Sequence, residues 1–213
     1  TCSSSDRGLD YTRASTNDWS AYFYYNAIDP TYIVTPEGKH YLIYGSWHSG
    51  FALLQLNAAT GKPLNTQGNP WANSAGELTA RYGPRIGTRT ASSRWQASEA
   101  PEIIFKDGYY YLFMAYDPLD IPYNTRVVRS TNIEGPYLDI TGRSFTSGSG
   151  DCYPIVTHPY KFNLSYGWVG ISHCCIFRKE NTNEWFYMSQ GRLPENVGGN
   201  PYSNAIMMGH VRR

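Results

Sequence analysis

The sequence predicts an all-β chain folded as a β-propeller, and three observations carry that prediction. One plan recurs three times: a segment holding one charged or titratable residue, an apolar run, a polar hinge, and a second aromatic-rich run. The copies start near Tyr25, Ser98 and Gly170, and their marker residues Asp29, Glu99 and His173 lie 70 and 74 residues apart. No stretch shows the 3.6-residue apolar period of an amphipathic helix. In a propeller the first strand of each blade lines the central channel, so residues at the starts of those strands converge on one axis.

The elements follow from local chemistry. In the first copy the hinge Thr35–His40 separates two apolar runs, and Phe51–Leu56 supplies a third strand. In the second, Asp107-Gly108 is a two-residue hairpin signal, because Gly accepts the positive φ that such turns require. The run Tyr109–Tyr116 that follows it is short and aromatic, as strands are. Thr125–Ser130 makes the third strand there. In the last copy the hinge is Lys179–Glu184 and the third strand is Ala205–Val211, with Gly191–Asn204 as a long turn-rich loop beside a cleft. The copies imply one propeller domain over residues 1–213, or a fragment of one, with about three blades visible.

Composition narrows the partners. Eighteen Lys and Arg balance 17 Asp and Glu, which argues against nucleic acid or an anionic membrane surface. No run of apolar residues is long enough to span a bilayer as a helix. The 19 Tyr and six Trp suit sugar binding, since aromatic faces stack on C–H faces while hydroxyls hydrogen-bond, although most of them are ordinary strand residues. Of the four cysteines, the neighbours Cys174 and Cys175 point to opposite faces of a strand and are poor disulfide partners. With Cys2 and Cys152 they read as buried free thiols, and no cysteine–histidine spacing suggests zinc.

The segments "NAIDP" (26–30), "SEAPEI" (98–103) with the later "DGYYYLF", "YNTRVVRSTNIEGPYLD" (123–139) and the late "GR…GGN…H" together resemble glycoside hydrolase family 43, closest to its endo-α-1,5-L-arabinanases, over nearly the whole chain. The resemblance implies a five-bladed propeller that cleaves arabinan with inversion and needs no redox cofactor. Five blades at roughly 72 residues each need about 360 residues. The 213 residues here therefore read as a fragment or processed chain, or as a chain whose remaining blades lie on a second polypeptide. A polysaccharide substrate implies a secreted, cell-surface or periplasmic location.

The resemblance assigns roles to Glu99, Asp29, Ser46, Trp47 and His173, and local sequence suggests those of the other residues. Glu99 is the general acid, placed where an apolar strand begins so that partial desolvation favours its protonated form. Glu102, inside the strand, reads as structural. Asp29, locked before Pro30, orients the acid, modulates it by like-charge repulsion and contacts the sugar. Asn26 helps position Asp29, and Ser46 and Trp47 line the arabinose subsites, with Trp47 as a stacking platform. His48 reaches the cleft rim. Arg126 forks toward a sugar hydroxyl or a carboxylate, or makes a structural salt bridge. His173 takes the slot beside a calcium ion otherwise held by waters, or bonds a backbone carbonyl inside the channel. His40, His158 and His210 have weaker claims. The general base of an inverting enzyme is missing: Asp6, Asp10 and Asp18 lie in polar sequence with no strand beginning at them. Three readings of function remain distinct: an arabinan hydrolase or an exo-acting arabinofuranosidase or xylosidase, a carbohydrate-binding propeller with an incomplete site, and an interaction propeller, which gives no reason for the three marker residues to fall at equivalent positions.

Overall fold

A computed structural model describes residues 25–64, 82–92, 95–119, 122–156 and 169–192, and within them the chain is all strand, turn and loop apart from a single helical position. The first sheet joins β1 (Thr31–Val34), β2 (His40–Tyr44), β3 (Phe51–Leu56) and β4 (Arg85–Gly87) in that order. The second repeats the plan with β5 (Ser98–Lys106), β6 (Tyr109–Tyr116), β7 (Asn124–Ser130) and β8 (Pro154–Val156). The third holds β9 (Val169–Arg178) and β10 (Trp185–Arg192). Every pairing is antiparallel between neighbours, the up-and-down plan of propeller blades.

The hinges behave as their chemistry predicts. Asp107 and Gly108 both take positive φ, at 50° and 82°, and Lys106 pairs directly with Tyr109 across them. In the first blade the Thr35 N–H donates to Lys39 O (2.8 Å), and Gly38 turns the chain at φ 77°. In the third, the Lys179 N–H donates to Glu184 O (2.9 Å), with Asn181 at φ 60°. The outer strands β4 and β8 were not anticipated; at three residues each they are too short to show a period. Gly191 and Arg192 extend β10, whereas the sequence suggests that a loop begins there. The expected strand Ala205–Val211 lies outside the described residues.

The first two sheets pack face to face. Ile33, Ile43, Phe51, Leu53 and Ile86 meet Ile103, Leu112, Met114, Tyr116, Val128, Tyr137 and Phe145 in one buried cluster, with the Phe51 and Phe145 rings 5.5 Å apart. Alternation along β1 buries Thr31 and Ile33 and exposes Tyr32 and Val34. Cys152 and Cys174 are buried free thiols, Cys175 is free but exposed, and Cys2 lies outside the described residues. The opposite burial of Cys174 and Cys175 follows from strand alternation.

The inner strands β1, β5 and β9 run side by side but belong to separate sheets, so no backbone ladder fixes their relative heights. Side chains do it instead. One Glu102 oxygen accepts from Thr31 Oγ1 on β1 (2.9 Å) and the other from the Ile176 N–H on β9 (3.0 Å). Thr31 Oγ1 in turn accepts from the Ile103 N–H (3.3 Å). The structural role expected for Glu102 is therefore a clasp across three blades. Replacing it with Ala leaves the Ile176 N–H without this acceptor. The expected loss in urea unfolding is roughly 2 kcal/mol, with a smaller loss for Glu102→Gln, which keeps one acceptor oxygen.

Candidate active site

The site forms where the inner strands begin. Glu99 is the second residue of β5, and its half-buried carboxylate accepts three hydrogen bonds. Ser46 Oγ (3.1 Å) and Trp47 Nε1 (2.9 Å) donate to Oε2, and the Tyr123 hydroxyl donates to Oε1 at 2.6 Å. Ser46 and Tyr123 are buried, so two of the three donors stand away from bulk water.

The loop between β2 and β3 aims two of those donors. It is bounded by Gly45 and Gly50, where a Cβ would lie 2.4 Å from Gly50 O and 2.1 Å from Gly87 O respectively. Between them Trp47 and Ser49 are held at φ 61° and 59°. Trp47 is tied to the second blade by its own backbone: its N–H donates to Ser98 O (2.9 Å) and its O accepts from the Gln96 N–H (2.8 Å). This crossing fixes the indole on Glu99 by its N–H edge, a role beyond the stacking expected from the sequence. His48 follows, its ring edge-on to Trp95 at 4.7 Å.

Asp29 precedes Pro30 and β1, and its Oδ2 accepts from the Ala100 N–H at 3.1 Å, which sets it beside Glu99. Burial pushes the Asp29 carboxyl above its ordinary range; the Glu99 charge adds to that, while the His173 charge and the Ala100 N–H oppose it. His173 lies near enough for its charge to act on Asp29, and its side chain is exposed. Asn26 forms the tight turn before Asp29 through its backbone O, which accepts from the Ile28 N–H (2.9 Å).

Two expectations change. The positive-φ residues that open the inner strands are Asp29 (54°), Ala100 (51°) and His173 (52°), so Ala100, not Glu99, is the backbone counterpart of the other two. Arg126 makes no salt bridge among the described residues: its Nε and Nη1 donate to Asn124 Oδ1 and Cys152 O, and its guanidinium lies 5.1 Å from the Tyr116 ring centre. The sequence assigned no role to Tyr123, although it is the first residue of the family-like run 123–139. It also missed Arg89, whose guanidinium grips Asp151 with two N–H groups (2.7 and 3.0 Å) and reaches Asp117 (2.7 Å) and Ala97 O (2.9 Å). Arg89 thereby holds the backbone two residues before Glu99.

Among the described residues no three His, Cys, Asp or Glu side chains gather as a metal site. A calcium ion beside the exposed His173 imidazole would draw its six to eight oxygen ligands largely from water. The three aspartates weighed as the base lie outside the described residues, as do His158 and His210.

The raised Asp29 carboxyl has a pH signature. Its proton is held more tightly in the folded state, so the stability that Asp29 contributes is fully present below the ordinary aspartate pKa of about 3.9 and is lost as pH rises through the raised value. Asp29→Asn is expected to raise the thermal midpoint at neutral pH, with the gain shrinking as the pH is lowered through the carboxylate range. Unfolding curves of both proteins over pH 3–8 read this directly.

The sequence profile of glycosyl hydrolases family 43 matches residues 11–207. An extracellular endo-alpha-(1->5)-L-arabinanase of Thermotoga petrophila is 32% identical over 186 residues, covering 79% of this chain and 36% of that protein. The solved endo-1,5-alpha-L-arabinanase of Thermotoga petrophila superposes with a TM-score of 0.64 at 30% identity, over 83% of this chain and 38% of the other. An exo-1,5-alpha-L-arabinanase from a bovine ruminal metagenomic library gives a TM-score of 0.61 at 30% identity, over 83% and 52%. The chain spans about a third to a half of the length of these relatives. No helix among its described residues is long and apolar enough to cross a membrane. The profile match along almost the whole chain places this chain in glycosyl hydrolases family 43.

Proposed function

We propose that this chain carries the acid half of the active site of an inverting glycoside hydrolase that cleaves α-1,5-linked L-arabinan. The observation that carries the reading is the Glu99 carboxyl, held by Ser46, Trp47 and Tyr123 beside a second carboxylate. Glu99 gives its proton to the glycosidic oxygen as the bond to the anomeric carbon breaks. A water attacks that carbon from the opposite face, losing its proton to a general base. In inverting enzymes the two carboxyl groups stand roughly 6.5–9.5 Å apart to admit that water. Asp29 shares the acid's side through the Ala100 N–H, so it serves as modulator, and the base comes from outside the described residues, on this polypeptide or a second chain. Relatives of both endo and exo type leave the cleavage pattern to the substrate test, and xylan is the competing polymer. The name of the Thermotoga relative supports an extracellular location, with secretion preferred to a surface or periplasmic one.

The competing reading is a carbohydrate-binding propeller, favoured by the absence of a base carboxylate beside Glu99 and Asp29 among the described residues. Linear arabinan separates the two. A hydrolase releases new reducing ends whose initial anomeric configuration, followed by NMR, is inverted. Glu99→Gln is expected to reduce that rate by about 10²- to 10⁴-fold. Binding that persists without new reducing ends would identify the binding module instead.

A further inference from the structure

We propose that Tyr123 is a positioning residue for Glu99: its buried hydroxyl fixes the carboxyl group and receives the charge that appears when the proton leaves. The inference rests on the reading of Glu99 as general acid. Tyr123 stands just before β7, wholly buried against Ala100 and Ala115, with its hydroxyl 2.6 Å from Glu99 Oε1. The other oxygen, Oε2, takes the Ser46 hydroxyl and the Trp47 indole N–H. An indole N–H only donates, so Oε2 faces a fixed donor in either protonation state. Oε1 is then the oxygen that presents the acid proton to the substrate.

A phenol that donates to one lone pair of Oε1 leaves the other free for that proton. On transfer, the Glu99 O–H bond breaks, the proton joins the glycosidic oxygen, and the electron pair stays on a carboxylate already faced by three donors. No dipole has to turn as the charge develops, which is how preorganised donors lower a barrier. Burial, and then the Glu99 charge, push the Tyr123 phenol far above its usual range, so the hydroxyl keeps its own proton throughout.

Two measurements test the proposal on the full-length protein. With 3-fluorotyrosine at position 123, the ¹⁹F resonance is expected to move in an acid titration, and that movement is expected to vanish in Glu99→Gln. Tyr123→Phe is expected to lower kcat on linear α-1,5-arabinan by roughly 10- to 100-fold. An aryl α-L-arabinofuranoside, whose phenol departs without proton help, should lose less than about 3-fold. A packing role alone predicts equal loss on both substrates, and that result would overturn the proposal, as would a resonance indifferent to Glu99→Gln. If the unsubstituted protein cleaves neither substrate while the resonance still follows Glu99, the positioning contact is upheld and the hydrolase reading falls.

Discussion

Glu102 forms no part of the chemistry proposed at the mouth, yet the geometry there depends on it. Inner strands of adjacent blades share no hydrogen-bond ladder, so each blade could slide along the channel axis relative to the next. The two oxygens of Glu102, bonded to Thr31 on one side and to the Ile176 N–H on the other, remove that freedom. Asp29 lies two residues before Thr31, Glu99 three before Glu102, and His173 three before Ile176. Fixing the heights of the three strands therefore brings these residues to one level, where the charges of Glu99 and His173 both act on Asp29.

The two ends of the blades treat backbone strain differently. At the hinge ends, positive φ falls on Gly38, Asp107, Gly108 and Asn181, residues that tolerate it. At the mouth it falls on Asp29, Trp47, Ser49, Ala97, Ala100, Asp117 and His173, several of which do not. Each such position costs on the order of 1–3 kcal/mol and persists only where its surroundings over-determine it. The surroundings are visible. Trp47 is bonded on both sides of its peptide, Ala97 O accepts from Arg89 and from the Asp117 N–H, and the Ala100 N–H is held by Asp29. The raised Asp29 carboxyl belongs to the same pattern, since the site holds a charge where burial disfavours it.

What the sequence revealed, and what it hid, divides along physical lines. The long strands and their hinges were legible because period, aromatic content and turn residues are local properties. Glu99 and Asp29 were legible as site residues through "SEAPEI" and "NAIDP", Ser46 through the family resemblance, and the structure brings the three together. Tyr123 opens a family-like run, but its role was not legible, because nothing local shows that its hydroxyl meets a carboxylate 24 residues upstream. Arg126 was misdirected for the related reason that its position was guessed from the strand start alone. Asn124, Cys152 and Tyr116 compete for its guanidinium and hold it inside the blade. The one-residue offset between Glu99 and Asp29 was hidden because it comes from the backbone.

That offset explains how one strand supplies both a structural and a reactive glutamate. Glu99 pairs with Ala115, and Glu102 pairs with Phe113, so between these pairs two residues on β5, Ala100 and Pro101, face one on β6, Met114. This is a β-bulge, with Ala100 in the left-handed region. In a regular strand, residues three apart point to opposite faces; the extra residue returns Glu99 and Glu102 to the same face, since Ala115 and Phe113 share one. The third blade repeats the device, with Ser172 and Cys175 opposite Gln190 and Met188 around His173. Without the bulge, the clasp at Glu102 and the carboxyl at Glu99 could not both face the neighbouring blades, and the blades could be tied together only by turning the acid away from the mouth. The irregular backbone at the start of β5 thus lets a single strand carry the joint between blades and the proton donor of the site.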